Sequence, residues 1–283
     1  MILYKATAAL KKEIEKLRQS GKSIGFVPTM GALHEGHMSL INISKNKCDI
    51  TVCSIFVNPT QFNDPIDFEK YPSTIANDIL LLENNSCDIL FLPSVAEIYP
   101  SGTQPAIHYD LGDIEYILEG KYRPGHFQGV CQVVHRLLDM VNPHYLFLGQ
   151  KDYQQIIVIK RLLQLINYAT KVITVSTFRE DTGLAMSSRN LRLTAEQKEN
   201  AVSISKMLHY IADHYSDTPL AQLEKYATDY LLNNGFDKVD YVSIADAETL
   251  QPVKDITKAG RLIALIAAFI SEIRLIDNMI LKG

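Results

Sequence analysis

The run Asp49-Ile50-Thr51-Val52-Cys53-Ser54-Ile55-Phe56-Val57 limits the fold most tightly, because it is β-branched and apolar almost throughout. A strand of that kind is buried on both faces, as in a parallel sheet covered by helices. Four more short apolar runs share its character, over residues 23–28, 87–93, 144–148 and 171–175. The stretches between them carry apolar residues at helical spacing: to about residue 47, over about 73–85, from 127 to about 141, and over 152–166. Five strands alternating with helices predict an α/β fold with a doubly wound, Rossmann-like parallel sheet. Residues 1–20, with Leu10, Ile14 and Leu17 among lysines, predict an amphipathic helix ending at Gly21.

Near residue 176 the pattern changes. A polar, poorly periodic stretch over 177–193 precedes helical patterns over 194–214 and 219–233, then strand patterns near 238–246 and 261–280. The chain is therefore expected to divide into a sheet domain, residues 1–176, and a smaller α+β domain, residues 177–283. Ligands favour such junctions. Residues 99–127, rich in Gly, Pro and Tyr, read as a long irregular stretch of the kind that is usually functional.

The net charge of −4 and the lack of Lys/Arg tracts argue against a nucleic-acid partner. The longest apolar run, 262–270, is too short to cross a membrane, and the first helix lacks a signal-peptide core. A cytoplasmic protein with no membrane partner is the expectation. The four cysteines, Cys48, Cys53, Cys87 and Cys131, have no C-x-x-C spacing, and buried free thiols are expected.

The chemistry gathers where the first of these strands gives way to a helix. Pro28-Thr29-Met30-Gly31-Ala32-Leu33-His34-Glu35-Gly36-His37 is a strand-to-helix corner with two glycines and two histidines one turn apart. The crevice beyond a parallel strand, facing a helix N-terminus, suits anionic ligands. Imidazole N–H groups suit phosphate oxygens. On these residues alone the histidines also fit two unrelated surface side chains, or half of a zinc site whose other ligands do not cluster in the sequence.

The corner resembles the HIGH-type signature of the nucleotidyltransferase superfamily, in the form carried by the pantothenate synthetase (pantoate–β-alanine ligase) family. Four later stretches resemble the same family in the same order. They are Phe56-Val57-Asn58-Pro59-Thr60-Gln61-Phe62, Arg123-Pro124-Gly125-His126-Phe127, Gly149-Gln150-Lys151-Asp152-Tyr153-Gln154-Gln155 and Gly183-Leu184-Ala185-Met186-Ser187-Ser188-Arg189-Asn190. The resemblance implies ATP-dependent joining of (R)-pantoate to β-alanine through a pantoyl adenylate, with Mg²⁺, in a homodimer whose second domain closes as a lid.

Carried over position by position, the resemblance assigns catalysis to His34, His37, Lys151 and Arg189. It assigns ATP to Met30, Gly31, Ala32, Leu33, His34, Glu35, Gly36, His37, Gly149, Gln150, Lys151, Asp152, Phe178, Met186, Ser187, Ser188 and Arg189. Pantoate falls to Asn58, Gln61 and Gln155, and β-alanine to Gln61. Asp78 is the candidate Mg²⁺ ligand, because hard oxygen suits that ion. Thr182, Ser73 and Gln150 depart from the family pattern, which usually has Asp, Arg and Glu there. The rival readings are a nucleotidyltransferase with another acceptor, a tRNA-binding protein and an idle nucleotide sensor.

Overall fold

The computed structural model describes residues 1–104, 107–253, 255–256 and 260–282. Residues 105–106 of the expected irregular stretch, and 254, 257–259 and 283 of the expected second domain, lie outside the described residues. The chain forms two compact units, one of residues 1–150 with 155–176, the other of 151–154 with 177–283.

The first unit runs β1 (Ile2–Tyr4), α1 (Thr7–Gln19), β2 (Ile24–Thr29), α2 (Glu35–Lys47), β3 (Ile50–Ile55), α3 (Pro65–Glu69), α4 (Ile75–Asn84) and β4 (Ile89–Phe91). It continues with α5 (Val95–Ile98), α6 (Glu119–Tyr122), α7 (His126–Val141), β5 (Tyr145–Gly149), α8 (Tyr153–Leu165) and β6 (Lys171–Val175). Its six strands are all parallel, in the order β1-β4-β3-β2-β5-β6. Successive residues of a strand face opposite sides of a sheet, and here they enter different cores. Phe26, Val52 and Ile89 pack with Leu10 of α1, Leu138 of α7 and Ile159 of α8. Their neighbours Val27, Cys53 and Leu90 pack with Ile41 of α2 and Leu82 of α4. Each large side chain buried this way contributes about 1.5–3 kcal/mol, and in β3 even the polar Thr51 and Ser54 are fully buried. The sheet is doubly wound, as the alternation predicts.

Strand order positions the site. From β2 the chain builds outward through β3 and β4, then returns to lay β5 along the other side of β2. That reversal opens a crevice at the carboxyl ends of β2 and β5, where such sheets bind ligands.

The second unit holds α9 (Ala195–His214), α10 (Leu220–Asn233) and the strands β7 (Lys238–Asp246), β8 (Leu262–Ile270) and β9 (Ile273–Lys282). The three strands form an antiparallel sheet. Leu208, Leu223 and Leu231 of the helices share its core with Ile266, Ile273 and Leu275.

Three expectations are corrected. The opening residues are not helical throughout, because Ile2–Tyr4 forms an edge strand on β4 before α1 begins. The irregular stretch carries a 3₁₀ turn at Gly112–Glu115 and the short helix α6. The terminal strand pattern over 261–280 is a hairpin, reversing at Ser271, which adopts φ 52° without being glycine.

Candidate active site

The corner after β2 is strained and braced. Gly31 and Ala32 both have positive φ, 86° and 48°. At Gly31 a Cβ would lie 3.0 Å from Ile55 and 3.2 Å from Asp78, so glycine answers both the torsion and the space. At Ala32 the left-handed torsion costs about 1–2 kcal/mol. Asp78 offsets it: its carboxylate accepts the backbone N–H of Ala32 at 3.0 Å and of Leu33 at 2.9 Å. Hydrogen bonds to a charged acceptor are worth about 1.5–3 kcal/mol each, which exceeds the torsional cost. Thr74 Oγ1 donates to the same carboxylate at 2.9 Å, and Asp78 is fully buried.

Asp78, the candidate Mg²⁺ ligand of the sequence, thus braces the corner with both carboxylate oxygens engaged. Among the described residues no three His, Cys, Asp or Glu side chains group so as to hold a metal.

His34 is the extended residue that caps α2, and His37 lies one turn in, with the two rings 4.1 Å apart. His37 Nδ1 accepts the backbone N–H of His34 at 3.3 Å. That bond fixes the tautomer: a neutral His37 carries its proton on Nε2, as a donor directed away from the helix cap. Met30, Gly36, His34 and His37 are half-buried, Gly31, Ala32 and Leu33 buried, and Glu35 exposed.

The turn after β3 meets this corner. Gln61 Nε2 lies 3.2 Å from Met30 Sδ, while its Oε1 accepts from Asn58 Nδ2 at 3.1 Å. Asn58 is buried and its polar atoms are committed. Its Nδ2 also reaches Gly129 O at 3.2 Å, and its Oδ1 accepts from Tyr99 at 2.7 Å and Thr60 Oγ1 at 3.1 Å. Burial raises the Tyr99 hydroxyl above its ordinary pKa, so it stays protonated as a donor to Asn58 well into alkaline pH. Asn58, expected among the pantoate ligands, therefore orients Gln61.

Sequence reasoning gave no role to Arg123 or His126. The structure sets both on Gln61, whose carbonyl accepts from His126 Nδ1 at 2.8 Å and from Arg123 at 3.4 Å. Arg123 also donates to His126 Nε2 at 3.1 Å, so the ring is the neutral Nδ1–H tautomer. Gly129 was missed as well. A Cβ there would sit 2.1 Å from Thr60 O, and only glycine lets α7 meet this turn. A glycine inside a helical pattern was the available signal.

Gly149 and Gln150, half-buried, close β5, and Gln155 is half-buried in the first turn of α8. Lys151, half-buried, and Asp152, exposed, belong to the second unit. There Asn278 Nδ2 donates to Lys151 O at 2.9 Å, and Tyr153 Oη to Ala247 O at 2.9 Å. In the same unit a tight hairpin carries the Met186–Arg189 segment. Met186 N donates to Phe178 O at 3.0 Å, and Arg179 bridges Ala185. The Phe178 ring is exposed, 43%, so it is no core residue. Thr182, a departure from the family pattern, sits exposed in the hairpin turn, its hydroxyl accepting from Leu184 N at 3.5 Å. Ser187 Oγ accepts the backbone N–H of Arg189 at 3.3 Å, Ser188 is buried, and Arg189 is half-buried.

These five segments are the ones in which the sequence resembles a single family, and that family's model, pantoate-beta-alanine ligase, matches residues 2–280. The chain belongs to this family. A pantothenate synthetase from Leptospira biflexa is 43% identical over 283 residues, 99% of each chain. The solved pantothenate synthetase from Thermus thermophilus matches with a TM-score of 0.92 and 34% identity, covering all of both chains. A pantoate-beta-alanine ligase from Francisella tularensis, solved with beta-gamma ATP and beta-alanine, matches with a TM-score of 0.85 and 38% identity, covering 100% of this chain and 98% of that one. The pantoate–β-alanine ligase fold therefore extends over both units.

Proposed function

We propose that this ligase joins (R)-pantoate to β-alanine at the expense of ATP, in two steps. A pantoate carboxylate oxygen attacks the α-phosphorus of Mg·ATP, pyrophosphate leaves, and pantoyl adenylate forms. The β-alanine amine then attacks the pantoyl carbonyl, AMP leaves with the bonding electron pair, and pantothenate is released after loss of the amine proton. Family membership over the whole chain supports the reading, as does the relative solved with beta-gamma ATP and beta-alanine.

The observation that carries it is the Gln61–Met30 contact, which places a neutral amide against the proposed nucleotide corner. An amide both donates and accepts, which suits pantoate's hydroxyls, and Gln155 is the second such amide. Because pantoate itself is the nucleophile, the protein needs no attacking side chain. Its work is to position two anions and to place positive charge and N–H donors where charge develops. His37 Nε2–H and the α2 N-terminus serve the phosphates, with His34 beside them. Lys151 and Arg189 supply fixed cations for the departing pyrophosphate, and Asp152 a carboxylate for a ribose hydroxyl. Gln61 also meets β-alanine.

Among the described residues no helix is long and apolar enough to cross a membrane. A homodimer working in the cytoplasm completes the proposal. The test measures AMP release from Mg·ATP, (R)-pantoate and β-alanine, omitting each in turn, for the wild type and His37→Ala. AMP that requires both organic substrates and collapses in the variant is expected. Folded, ATP-binding protein with no pantoate-dependent turnover would overturn the substrate assignment.

A further inference from the structure

Adjacent residues of one strand tie the main chain of Lys151 and the hairpin that leads to Arg189. Asp277 and Asn278 lie in β9, paired with Ile266 and Leu265 of β8. Adjacent strand residues face opposite sides of a sheet. Asp277 falls on the side of Ile273 and Leu275, which pack in the helical core, and Asn278 on the other. Both are buried, 4% and 2% exposed, where an apolar residue is the usual occupant.

Each reaches a different part of the proposed site. Asp277 takes the Arg179 guanidinium in a two-pronged bond, 2.6 and 3.2 Å, and Arg179 also donates to Gly183 O at 3.1 Å. This pins the base and the turn of the hairpin that leads into Met186–Arg189. Asn190 ties the far end, donating to Ala185 O at 3.0 Å and to Glu180 at 3.3 Å. On the other face, Asn278 holds the Lys151 carbonyl. Asp277 Oδ1 accepts the backbone N–H of Asn278 at 2.8 Å, which couples the two ties.

We propose that Asp277 and Asn278 are positioning residues that hold Lys151 and the Arg189 segment in register for pyrophosphate departure. The proposal rests on the ligase reading above. Both act through the groups they hold, the Arg179 guanidinium and the Lys151 carbonyl. Their effect is confined to the step in which charge builds on the leaving pyrophosphate, and the aminolysis of preformed pantoyl adenylate does not call on it.

The two half-reactions separate the possibilities. Asn278→Leu keeps the side-chain volume but removes the donor to Lys151 O. Should it fail to fold, Asn278→Ala, which leaves room for a water, carries the test. In pantoate-dependent pyrophosphate exchange with ATP, kcat is expected to fall about 30- to 100-fold, the scale of an ångström-level misplacement. KM for pantoate should stay within about threefold, as should the conversion of supplied pantoyl adenylate and β-alanine to pantothenate. Arg179→Lys, which keeps the charge but loses the fork, should show the same split. Unchanged exchange, or a parallel fall of both half-reactions, would overturn the proposal. A wild type with no pantoate-dependent exchange would instead sink the ligase reading.

Discussion

Two buried aspartates do the same job in the two units with different partners. Asp78 braces the histidine corner by accepting main-chain N–H groups, from Ala32 and Leu33. Asp277 braces the arginine segment by pairing with a side chain, the Arg179 guanidinium. A main-chain donor cannot be mutated away, so the corner has no repair once its carboxylate is lost. A side-chain partner can be removed together with the aspartate. The corner is held by a fixed requirement of its backbone, and the arginine segment by a pair that could be exchanged as a unit.

The largest effect should follow from breaking the pair from one side. Asp277→Ala leaves Arg179 charged and without its carboxylate, which costs about 3–5 kcal/mol. Denaturant melts should show that loss, and Asp277→Leu with Arg179→Met should recover most of it, since apolar replacements of buried ion pairs are often neutral or better. A double variant no more stable than Asp277→Ala would refute the exchangeable-pair description. His37→Ala separates a ligand-directed group from a brace. Turnover should fall about 10²- to 10³-fold, the usual loss for one transition-state donor. Stability should drop only by about 1 kcal/mol, the value of the bond from His34 N.

The strands and the corner could be read from the sequence because their signals are local. β3 is mostly apolar, with only Thr51 and Ser54 polar, since both of its faces are buried, and the corner's glycines and histidines fall within residues 31–37. The braces could not be read that way. Asp78 sits in the first turn of α4, where a carboxylate is ordinary, and only the folded chain shows it 46 residues from its partner Ala32. Nothing local to Arg123 or His126 indicates that they hold the carbonyl of Gln61, 62 and 65 residues away. Ile2–Tyr4 was hidden for the same reason, because three residues become a strand only through their register with Ile89–Phe91. Local pattern gives elements and motifs. Second-layer hydrogen bonds depend on tertiary approach.

Asp78→Asn sharpens the comparison at the corner. The amide keeps one acceptor oxygen but turns an N–H₂ towards a main-chain donor, leaving one buried N–H unsatisfied. The cost should be about 1–3 kcal/mol, smaller than that of Asp277→Ala because no buried charge is stranded. Ala32→Gly in the same background should return about 1 kcal/mol by relieving the left-handed torsion. If Asp78→Asn were as stable as wild type, the corner would be self-supporting and the carboxylate would serve something else.

The smallest effect separates the two units by titration. All four cysteines, Cys48, Cys53, Cys87 and Cys131, lie in the first unit and are buried and unpaired. Burial pushes each thiol above its ordinary pKa, Cys87 and Cys131 to about 12. A folded pKa above the unfolded value of about 8.5 means that the unfolded chain loses its proton first. Above that pH the unfolded state binds fewer protons, so stability falls as pH rises, by about 1 kcal/mol at pH 9 for each of Cys87 and Cys131. The second unit has no cysteine, and its Tyr153, raised by burial from an ordinary value of about 10, begins to lower stability only at higher pH, so it should not share the loss at pH 9. At pH 8 a thiol-specific disulfide reagent should label the native protein only as fast as the first unit opens. Asp78→Asn should speed that labelling more than Asp277→Ala does, although the second variant costs more global stability. The reverse order would mean that the two units open together, and the braces would then belong to one cooperative structure.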